Sequence, residues 1–253
     1  MFWEVVVFAA VGFAAQMIDG ALGMAYGLSA TSVLLSLGVA PATASASVHA
    51  AEVFTTGASG LAHWRLGNVR RALVLRLALP GALGGVLGAY LLVGMPTHIV
   101  RVFVSSYLLV LAVLILFKAL RPRPPANLPS WQVGVLGFCG GVLDAIGGGG
   151  WGAIVTSTLI GQGNAPREAI GSASLAEFFV TAAVSAAFVA TVGLTLWPII
   201  VGLILGGVLA APFAALVAKR LPERPLMAAV AVVVFLLALR SLLASLRAMA
   251  GGG

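Results

Sequence analysis

The chain has 253 residues, 61% of them hydrophobic and 8% charged, with a mean hydropathy of +1.12. Soluble domains carry about a quarter charged residues, so this composition excludes a water-soluble globular protein and reads as an integral membrane protein. The formal charge of +7 sits mainly in loops between apolar runs, where it sets orientation and is not a nucleic-acid signal, and the single cysteine, Cys139, excludes an intramolecular disulfide and a cysteine-based metal cluster.

In chain order, apolar runs predict helices over 2–19, 28–37, 41–63, 70–93 and 98–119. Glu4 stands where a signal peptide has its basic stretch, and the first run leads straight into Asp19, so the start reads as a first helix and not a cleaved leader. The clustered prolines of Arg121 to Pro129 cannot continue a helix and mark a linker. A second set of helices follows over 131–144, 153–162, 166–190, 194–218 and 225–248, and Gly251 to Gly253 reads as a disordered tail. The expected organisation is a membrane repeat over 1–120, a Pro-rich linker over 121–130 and a second membrane repeat over 131–250.

The two halves are copies. An offset of 125 with no gaps superposes 12–56 on 137–181 with 17 identities in 45 positions, among them Asp19/Asp144, Gly23/Gly148, Gly27/Gly152, Thr31/Thr156, Ser47/Ser172 and Glu52/Glu177. A membrane crossing needs roughly 20 helical residues. Segments 28–37 and 153–162 have about half that, and each follows a glycine-rich break, at 20–27 and 147–152. Irregular backbone at membrane depth survives only where protein or water covers it. Each pair therefore predicts a re-entrant helical hairpin with its glycine tip near the membrane middle.

Charge gives the relative orientation of the halves. Arg65, Arg70 and Arg71 surround one loop, whereas its repeat equivalent, 191–196, has no basic residue. Conversely, the uncharged loop 94–97 matches the loop carrying Lys219, Arg220 and Arg224. Basic loops face the cytoplasm, so equivalent loops face opposite sides and the fold is expected to be all-α with two inverted-topology repeats, each a hairpin followed by three membrane helices.

Candidate chemistry gathers at the breaks. A half-helix opening near Gly27 or Gly152 offers free N–H groups and a positive dipole end, a backbone seat for an anion. The candidate substrate-binding set is Gly23, Tyr26, Gly27, Thr31, Ser47, Gly148, Gly149, Trp151, Gly152, Thr156 and Ser172, with Tyr26 and Trp151 as gates. The competing reading is that small residues merely permit close helix crossings, and Gly84, Gly85, Gly88, Gly206 and Gly207 read that way. Glu52, Glu177 and His49 are candidates for proton coupling, or for a structural role that receives hydrogen bonds from the broken helices. Asp19 and Asp144 directly precede the breaks and are expected to brace the loop backbone. The sequence shows no nucleophile–base pattern, no metal-ligand spacing and no cofactor fingerprint, which points away from an enzyme.

These residues resemble the TauE/SafE-type sulfite exporter family. The likeness covers essentially the whole chain and rests on Gly12-Phe13 through Asp19 to Gly23 with Pro41 to Glu52, and on Gly137-Phe138 through Asp144 to Gly150 with Pro166 to Glu177. The resemblance implies a multi-pass carrier in the bacterial inner membrane for a sulfur-containing anion such as sulfite or an organosulfonate. The expected mechanism is alternating access with protons as co-substrate and no cofactor or metal, and the sequence is open to a homodimer. An anion channel and a non-transporting membrane subunit are the alternatives.

Overall fold

The computed structural model describes residues 2–120, 130–162, 164–217 and 223–250. Residues 121–129 of the expected linker, the loop residues Lys219 to Pro222 and the glycine tail lie outside the described residues, while Ser130, placed in the linker by the sequence, opens a helix. The first half forms α1 (Phe2–Leu22), α2 (Tyr26–Ser36), α3 (Pro41–Arg65), α4 (Arg71–Gly94) and α5 (Thr97–Leu120). The second forms α6 (Ser130–Gly147), a π-helical turn (Gly152–Thr156) running into α7 (Ser157–Gly161), then α8 (Pro166–Thr191), α9 (Trp197–Val217) and α10 (Glu223–Ala250). Strands are absent among the described residues.

Local chemistry explains the boundaries. Pro41 and Pro166 open α3 and α8 at the first helical turn, where a missing N–H costs nothing. Gly38, Gly67 and Gly193 follow the ends of α2, α3 and α8 with φ of 89°, 72° and 74°, the left-handed geometry that releases a chain from a helix. Six helices, within α1, α4, α5, α8, α9 and α10, are long and apolar enough to cross a membrane. Between Pro41 and Arg65, α3 carries Ser45, Ser47, His49, Glu52, Thr55, Thr56, Ser59 and His63, all buried, so it brings polar groups into an otherwise largely apolar interior.

The packing is built from equivalent pairs. The α1 helix lies along α9 and α6 lies along α4, and these two pairs exchange when the halves are swapped. The α3 helix crosses α8, and α5 runs against α10, each being the counterpart of the other. At the α3–α8 crossing, Thr56 Oγ1 lies 3.5 Å from Thr181 Oγ1, so a residue touches its own copy. Glycines let these helices approach. A Cβ at Gly84 would land on the Phe138 carbonyl, and one at Gly206 on the Ala9 carbonyl. Such close backbone approach is the membrane use of small residues.

Candidate functional site

The α1 helix ends at Leu22 and α2 starts at Tyr26, leaving Gly23, Met24 and Ala25 to turn the chain. Gly23 has φ 66°, and Ala25 is held at φ 116°, a conformation that a residue with a Cβ adopts at a cost of about 1–3 kcal/mol. In the second half Gly148, Gly149 and Gly150 make the same break with φ of 65°, 142° and 147°. Ala25 thus does with a side chain what its counterpart Gly150 does with glycine.

Each break is spanned by an aspartate. Asp144 Oδ1 accepts the Trp151 amide at 2.9 Å, and its main-chain carbonyl accepts the Gly149 amide at 3.0 Å. Asp19 Oδ1 accepts the Tyr26 amide at a longer 3.4 Å, and its carbonyl accepts Gly23 N at 2.5 Å. Both carboxylates therefore cross their own loop and hold one of the orphan N–H groups of the next helix.

The two breaks meet in the buried interior. Thr31 Oγ1 donates to the Gly148 carbonyl. A Cβ at Gly148 would strike Thr31, and one at Gly23 would fall 2.7 Å from Thr156 Cγ2, the equivalent contact in the exchanged sense. Gly149 lies against the backbone of Gly27 and Leu28, and Gly152 against that of Gly23 and Met24. Gly23, Tyr26, Gly27, Thr31, Gly148, Gly149, Trp151, Gly152 and Thr156 are thus brought together and buried.

The expected gates have fixed partners. Tyr26 Oη donates to the Leu203 carbonyl at 2.9 Å, and Trp151 Nε1 donates to the Ala173 carbonyl at 3.2 Å. Gly207 faces the Tyr26 ring and Gly81 faces the Trp151 indole, so each ring is a wedge seated in a glycine notch. Ser47 and Ser172 are placed differently from the rest of the set. Ser47 donates to Thr43 of its own helix, and Ser172 Oγ accepts the Arg70 amide at the entrance to α4. The reason is helical phase, because positions 47 and 172 lie off the faces of α3 and α8 that carry 52, 56 and 181.

Four carboxylates line this centre. Asp19, Glu52, Asp144 and Glu177 are buried and lie within electrostatic reach of one another. Glu52 Oε1 packs against Gly27, while Oε2 has no hydrogen-bond partner. His49 bridges the halves: Nε2 is 3.2 Å from Asp144 Oδ2, and Nδ1 is 2.8 Å from the Ser45 carbonyl. Ser45 Oγ also donates to the Ala145 carbonyl at 2.6 Å. Sequence spacing shows no metal-ligand pattern, yet the fold brings ligand atoms of His49, Glu52 and Asp144 within 4.8 Å of one another.

Two residues absent from the sequence-derived set approach the second break. Tyr107 of α5 lies against Gly147 and Gly150, with its hydroxyl buried and without a hydrogen-bond partner among the described residues. Lys118 Nζ donates to Ser157 Oγ at 2.5 Å and to the Ala153 carbonyl at 3.3 Å, binding α5 to the π-helical turn. The polar run Ser105-Ser106-Tyr107 inside an otherwise apolar helix was the legible sign for Tyr107.

The profile of the family described as Sulfite exporter TauE/SafE matches residues 8–241. The chain belongs to this family. It is also similar to the probable membrane transporter protein YtnM of Bacillus subtilis (strain 168), at 41% identity over 230 residues covering 87% of this chain and 77% of that protein. No solved structure matches it. The chain is thus a multi-pass membrane transporter of the TauE/SafE type.

Proposed function

We propose that this TauE/SafE-family protein is a secondary transporter that moves a small sulfur-containing anion, sulfite or an organosulfonate, by alternating access. The observation that carries this reading is the meeting of the two glycine breaks, Gly148 and Gly149 against Gly27 and Thr31, in the interior. There α2 and the π-helical turn open towards one another, and their first-turn amides offer a seat for negative charge without a lysine or arginine salt bridge. Gly23, Gly27, Thr31, Gly148, Gly149, Gly152 and Thr156 form that seat. The two breaks are the tips of re-entrant hairpins, and the halves lie inverted in the bacterial inner membrane with the Arg65–Arg71 loop in the cytoplasm. Alternate opening of the α1–α9 and α4–α6 sides exposes the seat to one face and then the other.

Glu177 couples the cycle to protons. It is 9% exposed in α8, the counterpart of Glu52 in the first half. A carboxyl buried inside the bundle that meets water once in each cycle can tie proton movement to that of the solute.

The test is radiolabelled sulfite flux in proteoliposomes under an imposed pH gradient. The native chain is expected to show flux that grows with the gradient, and Glu177→Gln flux that no longer responds to it. Gradient-independent flux in the native chain removes the coupling, and absence of flux for sulfite and for sulfonates removes the substrate class.

A further inference from the structure

We propose that His49, Glu52 and Asp144 bind one divalent transition-metal ion, which staples α3 of the first half to the end of α6 in the second. The argument begins with the imidazole. Its Nδ1 sits 2.8 Å from the Ser45 carbonyl, which can only accept, so Nδ1 carries a hydrogen. Its Nε2 sits 3.2 Å from Asp144 Oδ2. In the neutral ring that contact sets one lone pair against another, so a positive centre belongs between them.

A second ring proton or a metal ion would serve, and Glu52 decides between them. Glu52 is 2% exposed and its Oε2 has no hydrogen-bond partner among the described residues. Protonating His49 satisfies Asp144 but leaves that buried oxygen unmatched, the arrangement that protein interiors avoid. A dication takes all three groups as ligands, and a neutral imidazole, two carboxylates and one dication sum to zero charge. That is the state a low-dielectric interior favours.

The donor set and its surroundings fit. One imidazole with carboxylates suits zinc and its neighbours in the first transition row better than magnesium or calcium. Ligands at about 2.1 Å from a tetrahedral zinc stand about 3.4 Å apart, against 3.2 Å between Nε2 and Oδ2 and no more than 4.8 Å across the set. Ligating histidines donate their second nitrogen to a carbonyl or carboxylate; here the Ser45 carbonyl receives it. Asp144 is fixed in turn by the Trp151 amide, and the Phe188 ring, 5.9 Å from the imidazole, supplies an apolar wall. The equivalent place in the other half offers Asp19 and Glu177 with Ser174 in place of the imidazole, so one ion is bound and not two. The site does not depend on which solute the chain carries.

The experiment uses the full chain purified in detergent, incubated with ZnCl₂ or MnCl₂, desalted, and analysed by elemental mass spectrometry and thermal unfolding. The expected result is about one zinc per chain and a melting temperature raised by zinc and lowered again by EDTA. His49→Ser, which installs the residue of the other half, and Glu52→Gln should each reduce retained zinc at least tenfold, while Glu168→Gln at the surface leaves it unchanged. Should His49→Ser fail to fold, Glu52→Gln decides by the same readout. Neither metal retained and no shift of melting temperature overturns the proposal. Zinc retained equally by His49→Ser and Glu52→Gln also overturns it, because the ion then sits elsewhere.

Discussion

Asp19 and Asp144 occupy equivalent positions and do unequal amounts of work. Asp144 engages the Trp151 amide at 2.9 Å with one oxygen and His49 with the other, whereas Asp19 reaches the Tyr26 amide at 3.4 Å. Asp144→Asn is therefore expected to destabilise the protein by about 2–4 kcal/mol and Asp19→Asn by about 1 kcal/mol, seen as unequal losses of melting temperature in detergent. The glycines sort in the same way. Gly149→Ala would drive a methyl into the Gly27–Leu28 backbone and at a φ of 142°, so it should cost upwards of about 3 kcal/mol or prevent folding. Gly161→Ala meets nothing within 4 Å and lies in a helix, so its melting temperature should match or exceed the native value. Duplicated residues announced themselves in the sequence because two copies of one acid in an apolar stretch are hard to attribute to chance. The His49–Asp144 contact did not, since its partners are 95 positions apart and its counterpart in the other half is a serine.

Among the elements, the breaks were the most legible, because glycine and short apolar runs have direct backbone meaning. The details that sequence missed are those that tertiary contact imposes. The α2 helix starts at Tyr26 and not at 28, with its first amide taken by Asp19. The α6 helix runs to Gly147, three residues past the expected end, because Asp144 and Ile146 pack in the interior as part of the helix. The π-helical turn over Gly152–Thr156 has no equivalent in the first half, where α2 is regular; Lys118 holds one of its carbonyls, and nothing in the local sequence signals that long-range bond. At the crossings, the α1–α9 and α4–α6 pairs rest on glycine. Gly84→Ala and Gly206→Ala should each cost about 1–3 kcal/mol by forcing the backbones apart, whereas Gly94→Ala, with open space around it, should be near neutral in the same melting assay.

At the scale of the molecule, the duplication pointed to two equivalent halves, and the structure adds which helices pair, α1 with α9, α4 with α6, α3 with α8 and α5 with α10. What the duplication left open was the approach of Tyr107 and Lys118 to the second break only. The proposed inversion of the halves carries its own prediction. With Cys139 replaced by alanine, single cysteines introduced at Gly67 and at Gly193, equivalent loop positions after α3 and α8, should react with a membrane-impermeant maleimide from opposite sides in oriented vesicles. Labelling of both from one side would mean parallel repeats.

The touching pair Thr56 and Thr181 has a meaning of its own. Contact between a side chain and its own counterpart is what a symmetric dimer makes on its dyad, where every feature of one partner is obliged to appear on the other. Joining both partners in a single polypeptide lifts that obligation. One imidazole can then be installed without a twin, and the seam between the halves is free to be furnished differently on its two sides.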